Sequence, residues 1–408
     1  MTGLGWGVLG MAALAWGADG AASAGGEPPA PPTVTGAPGK GLTVTSADGR
    51  FAMNLRGRVQ LRTSAFVAAP DDADARDVTM QTQIATTRLW WGGHLLNPDT
   101  KYLLQLAVGP KDFRDGAISP IFDAYLDFTQ NPNLSVRVGQ LFVPFDRLRT
   151  IREFSLQMAD RPRVVSELTL DRDIGAYAYS DHLGGANSKW AYRVGLFGGS
   201  GIHQLAAHPP GGLAVARLEL RPLGPVDDDS EGDLERRATP GLAFGVGAAY
   251  NLGTTRARST TSTVWTAGTA DYLHLAADAV FKWHGVSWET EVVLRDATED
   301  ALQGTDADGL PITEYTRSGW GLVTQPGWML SRKAEIVARY GRLQAFEGTD
   351  PAYLDDVAAR ANEVGLGANC YLNQHRFKVQ GGLSGLFGDE QALPDAEWTA
   401  TVLVDFMF

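Results

Sequence analysis

From Phe51 onward, apolar residues recur at every second position through the rest of the chain. The C-terminus is the clearest case: Trp398, Ala400, Val402, Val404, Phe406 and Phe408 alternate with Glu397, Thr399, Thr401, Leu403, Asp405 and Met407. Successive strand side chains point to opposite faces, so this segment predicts a strand with one wholly apolar face. Its length suits a bilayer crossing, and its aromatics fall at both ends, where the interfaces would lie. Val286, Trp288, Thr290, Val292 and Leu294 repeat the pattern against Ser287, Glu289, Glu291, Val293 and Arg295. So do Ala334, Ile336, Ala338 and Tyr340 against Lys333, Glu335, Val337 and Arg339, and the run Tyr102, Leu104, Leu106 and Val108. A soluble sandwich also alternates, but it rarely places charge after charge on the inner face of many strands.

Read in this way the chain predicts strands at 51–66, 82–96, 100–109, 118–129, 133–141, 172–182, 188–198, 212–222, 240–251, 268–282, 284–295, 313–324, 333–343, 361–372, 375–386 and 397–408. That makes about 16 strands, an even number suited to an all-β fold, a transmembrane antiparallel β-barrel in the outer membrane of a Gram-negative bacterium. Connections alternate in length. Asn97-Pro98-Asp99, Asn131-Pro132, His284-Gly285 and Asn373-Gln374 are tight, whereas 67–81, 142–171, 252–267, 296–312 and 344–360 are long. Short periplasmic turns and long external loops are the rule for such barrels. Residues 223–239 break it, being long where a short turn is due, so either that turn is enlarged or the strand count slips there.

The N-terminus is read differently. Leu4 to Trp16 are apolar and Ala22-Ser23-Ala24 supplies a small-residue cleavage pattern, so 1–24 is expected to be a signal peptide, although no Lys or Arg precedes the apolar run. Residues 25–49 are then a Pro/Gly-rich periplasmic linker, and 50–408 the barrel. The mature chain has no stretch of 18 consecutive apolar residues, which excludes a transmembrane helix.

Charge and composition narrow the chemistry. The net charge of −12 argues against nucleic acid as a partner, since phosphate contact needs a basic surface. One cysteine, Cys370, permits no intramolecular disulfide and no cysteine-ligated cluster, and it lies on an apolar face beside Leu366 and Ala368. The seven histidines are scattered, and no G-x-S-x-G elbow, H-E-x-x-H or phosphate loop occurs, so no enzyme activity and no cofactor or metal is expected. The polar faces are the place to look for function. Arg56, Arg58 and Arg62 share one face of the first strand and form a ladder of like charge; Arg137, Arg193, Arg217, Arg339, Arg376 and Lys378 occupy polar faces elsewhere, with acids among them. An excess of guanidinium on one wall of a pore favours anions. Simple cross-barrel pairing is the competing reading for each residue, because buried ions are usually paired.

The stretch 142–172 is the longest insertion. It carries Arg147, Arg149, Arg152, Arg161, Arg163 and Arg172 against Asp146, Glu153, Asp160, Glu167 and Asp171. Its apolar residues, Phe142, Val143, Phe145, Ile151, Phe154, Leu156 and Met158, need burial, which predicts an inward-folded constriction loop. The run Val138-Gly139-Gln140-Leu141-Phe142-Val143-Pro144-Phe145, with Asp160-Arg161 and Arg172-Asp173-Ile174-Gly175, resembles the phosphate-selective porin O and P family. Arg88-Leu89, Asp123-Ala124-Tyr125 and Gly195-Leu196-Phe197-Gly198-Gly199 add to the likeness, which is dense from about 50 to 200 and pattern-level beyond. The resemblance implies a homotrimeric sixteen-stranded porin in outer-membrane lipid, whose third external loop folds inward and whose arginine-lined lumen guides small solutes or anions. Two other functions remain open. A channel for organic solutes such as sugars would use an aromatic slide, to which Tyr125, Tyr177, Tyr179 and Tyr371 could contribute, and a non-conducting structural barrel would be filled by bulky apolar side chains, not by Gly365, Gly367 and Gly382.

Overall fold

A computed structural model describes residues 30–69, 76–112, 120–202, 210–227 and 229–408. The expected signal peptide at 1–24 lies outside these residues. Sixteen antiparallel strands form a closed barrel: Ala52–Val67, Val78–His94, Thr100–Ala107, Ile121–Phe128, Ser135–Phe142, Arg172–Ser180, Trp190–Phe197, Gly212–Leu220, Gly241–Thr254, Ala270–Trp283, Val286–Ala297, Gly319–Met329, Ala334–Ala345, Asn362–Tyr371, Phe377–Phe387 and Glu397–Met407. Each pairs with its neighbours in sequence, and the last pairs with the first, from Trp398 opposite Val67 to Met407 opposite Arg58. Closure leaves no unpaired sheet edge in the hydrocarbon region, the condition for a sheet to cross a membrane.

The faces follow the alternation. Val402, Leu366, Val246 and Trp288 are exposed on the outside, while Asp405, Glu291, Arg295 and Lys378 are buried on the inside. Cys370 is exposed, on the same outward face as Leu366. The twelfth strand departs from expectation: it runs Gly319–Met329, not 313–324, and Pro311–Tyr315 pairs with Ala301–Thr305 in a separate hairpin within the long loop. Pro326 lies inside this strand, opposite Trp288, and a residue without an amide hydrogen reads in sequence as a strand stop.

Within the 25–49 segment read as a linker, Thr33–Ala37 and Gly41–Thr45 form a hairpin. Its second strand pairs with 52–55 of the first barrel strand. The last barrel strand runs out at Phe408, which exchanges backbone hydrogen bonds with Gly57 at 2.9 and 3.0 Å, so the hairpin takes over the edge just beyond it. An unpaired edge of that kind favours strand addition over a free linker.

Seven of the eight connections at the loop end are long, and turns at the other end are short, with the 221–240 connection as the exception. Since all sixteen strands are present, that turn is enlarged and the strand count stands.

Candidate functional site

Loop 142–171 lies inside the barrel. Its first turn is a short helix, Arg147–Thr150, capped by Asp146, whose carboxylate accepts from the Arg149 amide at 2.9 Å. A second helix, Arg163–Leu168, packs Val164 and Leu168 against the inner wall. Glycines on the wall make the room. A Cβ at Gly247 would lie 2.1 Å from the Phe145 carbonyl oxygen, and one at Gly327 would lie 2.1 Å from Gln157 Nε2. Gly365, which in sequence suggests an open lumen, instead makes room for Met158, whose Cε would lie 2.8 Å from a Cβ there. Val143, Phe145, Leu168 and Leu170 join Leu213, Val215 and Val293 of the wall in a dry core, so one side of the barrel interior is packed like a soluble protein.

The ladder is resolved by pairing. Arg58 is fully buried and forms a bidentate bond with Asp405, Nε to Oδ1 at 2.8 Å and Nη2 to Oδ2 at 2.5 Å, with Glu153 at 3.4 Å. Arg62 holds Asp160 of the loop at 2.7 and 2.5 Å. Cross-barrel pairing therefore holds for two of the three ladder arginines, because closure and the inward loop bring Asp405, Glu153 and Asp160 opposite them. Arg56 differs. Its guanidinium lies 5.9 Å from the Trp90 ring, its Nε is buried without a hydrogen-bond partner, and it makes no ion pair among the described residues.

The loop arginines are mostly anchors. Arg147 Nε meets Asp278 at 2.6 Å, Arg152 meets Asp123 at 2.7 Å, and Arg163 meets Asp356 at 2.5 Å. Arg149 bonds Asp171; burial alone would raise the Asp171 carboxyl, but Arg149 and Arg172 bring it down to about 2. Arg161 donates to the carbonyls of Leu148 and Ile151 and clamps the loop on itself; burial, then Arg149, lowers it to about 10. Arg137 bonds Asp127 at 2.6 Å and lies among the rings of Tyr125, Tyr177 and Tyr179 at 4.7, 5.7 and 5.4 Å. These tyrosines surround the Arg137 cation.

At the base of the loop, a bulge around Phe122 interrupts the register between the third and fourth strands. Such bulges re-aim side chains. Here the Arg172 guanidinium lies 3.6 Å from the centres of both Phe122 and Phe142, sandwiched, with Asp123 accepting from its Nε at 2.7 Å.

The turn-end mouth opens into a cavity of about 540 Å³. Arg56, Phe154, Lys282, His375 and Arg376 line it, with Asp227, Asp233 and Glu235 from the enlarged turn. Asp233 is occupied by the Gly285 amide at 2.7 Å, and Lys282 by turn carbonyls including that of Asp227, also at 2.7 Å. Burial, Lys378 and Lys282 hold the His375 ring well below its usual value, so it is neutral beside the Ser230 hydroxyl, 2.9 Å away. Among the described residues, no group of three or more His, Cys, Asp or Glu is placed to hold a metal ion.

No protein-family model matches the chain, and no curated protein matches it. Solved structures do. An OmpF structure from Salmonella typhi, in complex with daunomycin, superposes with a TM-score of 0.53 at 13% identity, over 88% of this chain and 98% of that one. The chain has a porin fold. An anion-selective porin from Comamonas acidovorans gives 0.51 at 11% identity, over 87% and 99% of the two chains. The outer-membrane channel DcaP of Acinetobacter baumannii gives 0.50 at 14% identity, over 87% and 97%.

Proposed function

We propose that the protein is an outer-membrane porin, a passive diffusion channel for small solutes with a weak preference for anions. The fold supports the channel. The observation that carries the anion preference is Arg56: a half-buried guanidinium without a carboxylate partner among the described residues, facing the cavity at the turn end. Arg152, paired with Asp123 at 2.7 Å, is compensated and does not add to it. In this reading Arg58 and Arg62 hold the wall and the loop in shape, and Arg137, Arg147, Arg149, Arg161 and Arg163 act in the same way. Ions in a narrow, low-dielectric pore respond to uncompensated charge far more than to paired charge.

Export by residues 1–24 and assembly as a homotrimer belong to the same proposal, with the turn end facing the periplasm. The solved porins support this orientation by the shared fold. The test is the zero-current potential of the purified protein in a planar bilayer under a potassium chloride gradient. An anion-favouring potential that Arg56→Gln reduces supports the reading, and a cation-favouring potential in the wild type refutes the preference while leaving the channel.

A further inference from the structure

Many of the inward side chains are buried. Arg58, Arg88, Asp278, Glu291, Arg339 and Lys378, from six strands spread around the wall, are each 7% exposed or less. Loop 142–171 covers part of this ring. The enlarged turn 221–240 does not hang below the barrel but rises into it, against the loop tip. Glu231, at its tip, is completely buried. Its amide donates to the Ser155 carbonyl at 3.3 Å, and its Oε2 accepts from the Gln157 amide at 2.6 Å and from Gln325 Nε2 at 2.8 Å. Gly232 follows so closely against the wall that a Cβ would lie 2.8 Å from Glu335 Oε1. The turn is thus joined to the tip of the loop and to the wall at one point.

Gln157 extends the join. Its side chain donates to Glu335 at 2.7 Å and to Ser287 at 2.9 Å, and its carbonyl accepts from Asn369 at 2.8 Å and Gln380 at 2.9 Å. A single carboxylate therefore ties the turn to a buried network drawn from five strands, the twelfth through Gln325 among them. At its base the turn is held by Arg236, which donates to the Met329 carbonyl, and by Asp233 on the Gly285 amide. A solvated turn needs none of these contacts, and buried polar atoms satisfied in this way are costly to release.

We propose that the turn 221–240 is a second constriction element, latched under loop 142–171 by Glu231, and that the size limit for solutes is set by the two together. The proposal rests on the channel reading above. The space under the loop tip is taken by the turn, and Glu231 and Gln157, both completely buried, form the seam that joins the two elements.

The test compares three proteins in planar bilayers: wild type, Glu231→Ala, and a variant in which residues 226–237 are replaced by Asn-Gly. Heat-dependent migration on gels checks that each barrel is folded. Conductance through a pore scales with its narrowest cross-section, so the turn replacement should raise single-channel conductance by about two-fold or more, and Glu231→Ala should give a smaller rise with more frequent steps between levels. Swelling of proteoliposomes in neutral sugars of graded size should shift to larger sugars in the same order. A silent wild type with a conducting turn replacement would support the second constriction and refute the open-channel reading. A conducting wild type whose conductance and sugar limit are unchanged in both variants would overturn the proposal and leave the channel standing. Silence in all three would refute both.

Discussion

Removing the carboxylate of Asp405 should destabilise the barrel more than any exposed substitution. Arg58 is 1% exposed and Asp405 is completely buried. Asp405→Ala removes the bidentate bond at 2.8 and 2.5 Å and the 3.3 Å contact from Gln60 Nε2. Only Glu153, at 3.4 Å and 29% exposed, remains near the guanidinium. Breaking one side of a buried ion pair costs about 3–5 kcal/mol, because the remaining charge is left without compensation in a medium of low dielectric. The double variant Arg58→Met with Asp405→Leu removes both charges; its cost should fall to about 1–2 kcal/mol, chiefly the orphaned Gln60 amide. The measurement is guanidinium chloride unfolding in detergent micelles, followed by tryptophan fluorescence and compared at one denaturant slope. A loss below about 1 kcal/mol for Asp405→Ala, or a double variant as unstable as the single one, would refute the view that this pair closes the barrel through its charges.

Three further outcomes follow from the geometry. Gly247→Ala puts a methyl group 2.1 Å from the Phe145 carbonyl oxygen, so the loop must shift at a cost of about 1–3 kcal/mol, read in the same unfolding experiment. Asp160→Asn releases Arg62 from its carboxylate while leaving an amide in its place, and the zero-current potential should move towards anions; a shift towards cations would contradict the pairing seen between them. Burial pushes the Asp146 carboxyl up to about 6, against the bond from the Arg149 amide. A carboxyl with a folded value above its unfolded one stabilises most when protonated, so this contribution is full below about pH 4 and is lost as pH rises through about 6. Asp146→Asn keeps the acceptor for Arg149 and should flatten stability over that window, as thermal unfolding between pH 4 and 7 will show.

Much of the fold is written in a local signal. Alternation with period two needs only the chain itself, and it placed fifteen of the strands close to their observed positions and separated Asp405 and Glu291 inside from Val402 and Val292 outside. The apolar residues of 142–171 likewise announce burial wherever the loop goes. The register of the twelfth strand was lost where Pro326 interrupts that signal, and the hairpin at 33–45 was missed because a Pro/Gly-rich composition reports low propensity and says nothing of an open edge beside Phe408. Glu231 left only one trace in the sequence, a turn too long for its place.

What alternation cannot carry is the identity of partners across the lumen. Arg58 and Asp405 are 347 positions apart and meet only because the sixteenth strand closes on the first with a particular stagger. Asp160 reaches Arg62, and Glu231 reaches Gln157, only once a loop and a turn enter from opposite ends and compete for one interior. The sequence by itself determined which residues face inward, because that depends on the pleat of each strand alone. The tertiary structure decided which of those charges are cancelled and which, like Arg56, have no carboxylate partner among the described residues, because Coulomb pairing depends on distances that exist only after the barrel has closed.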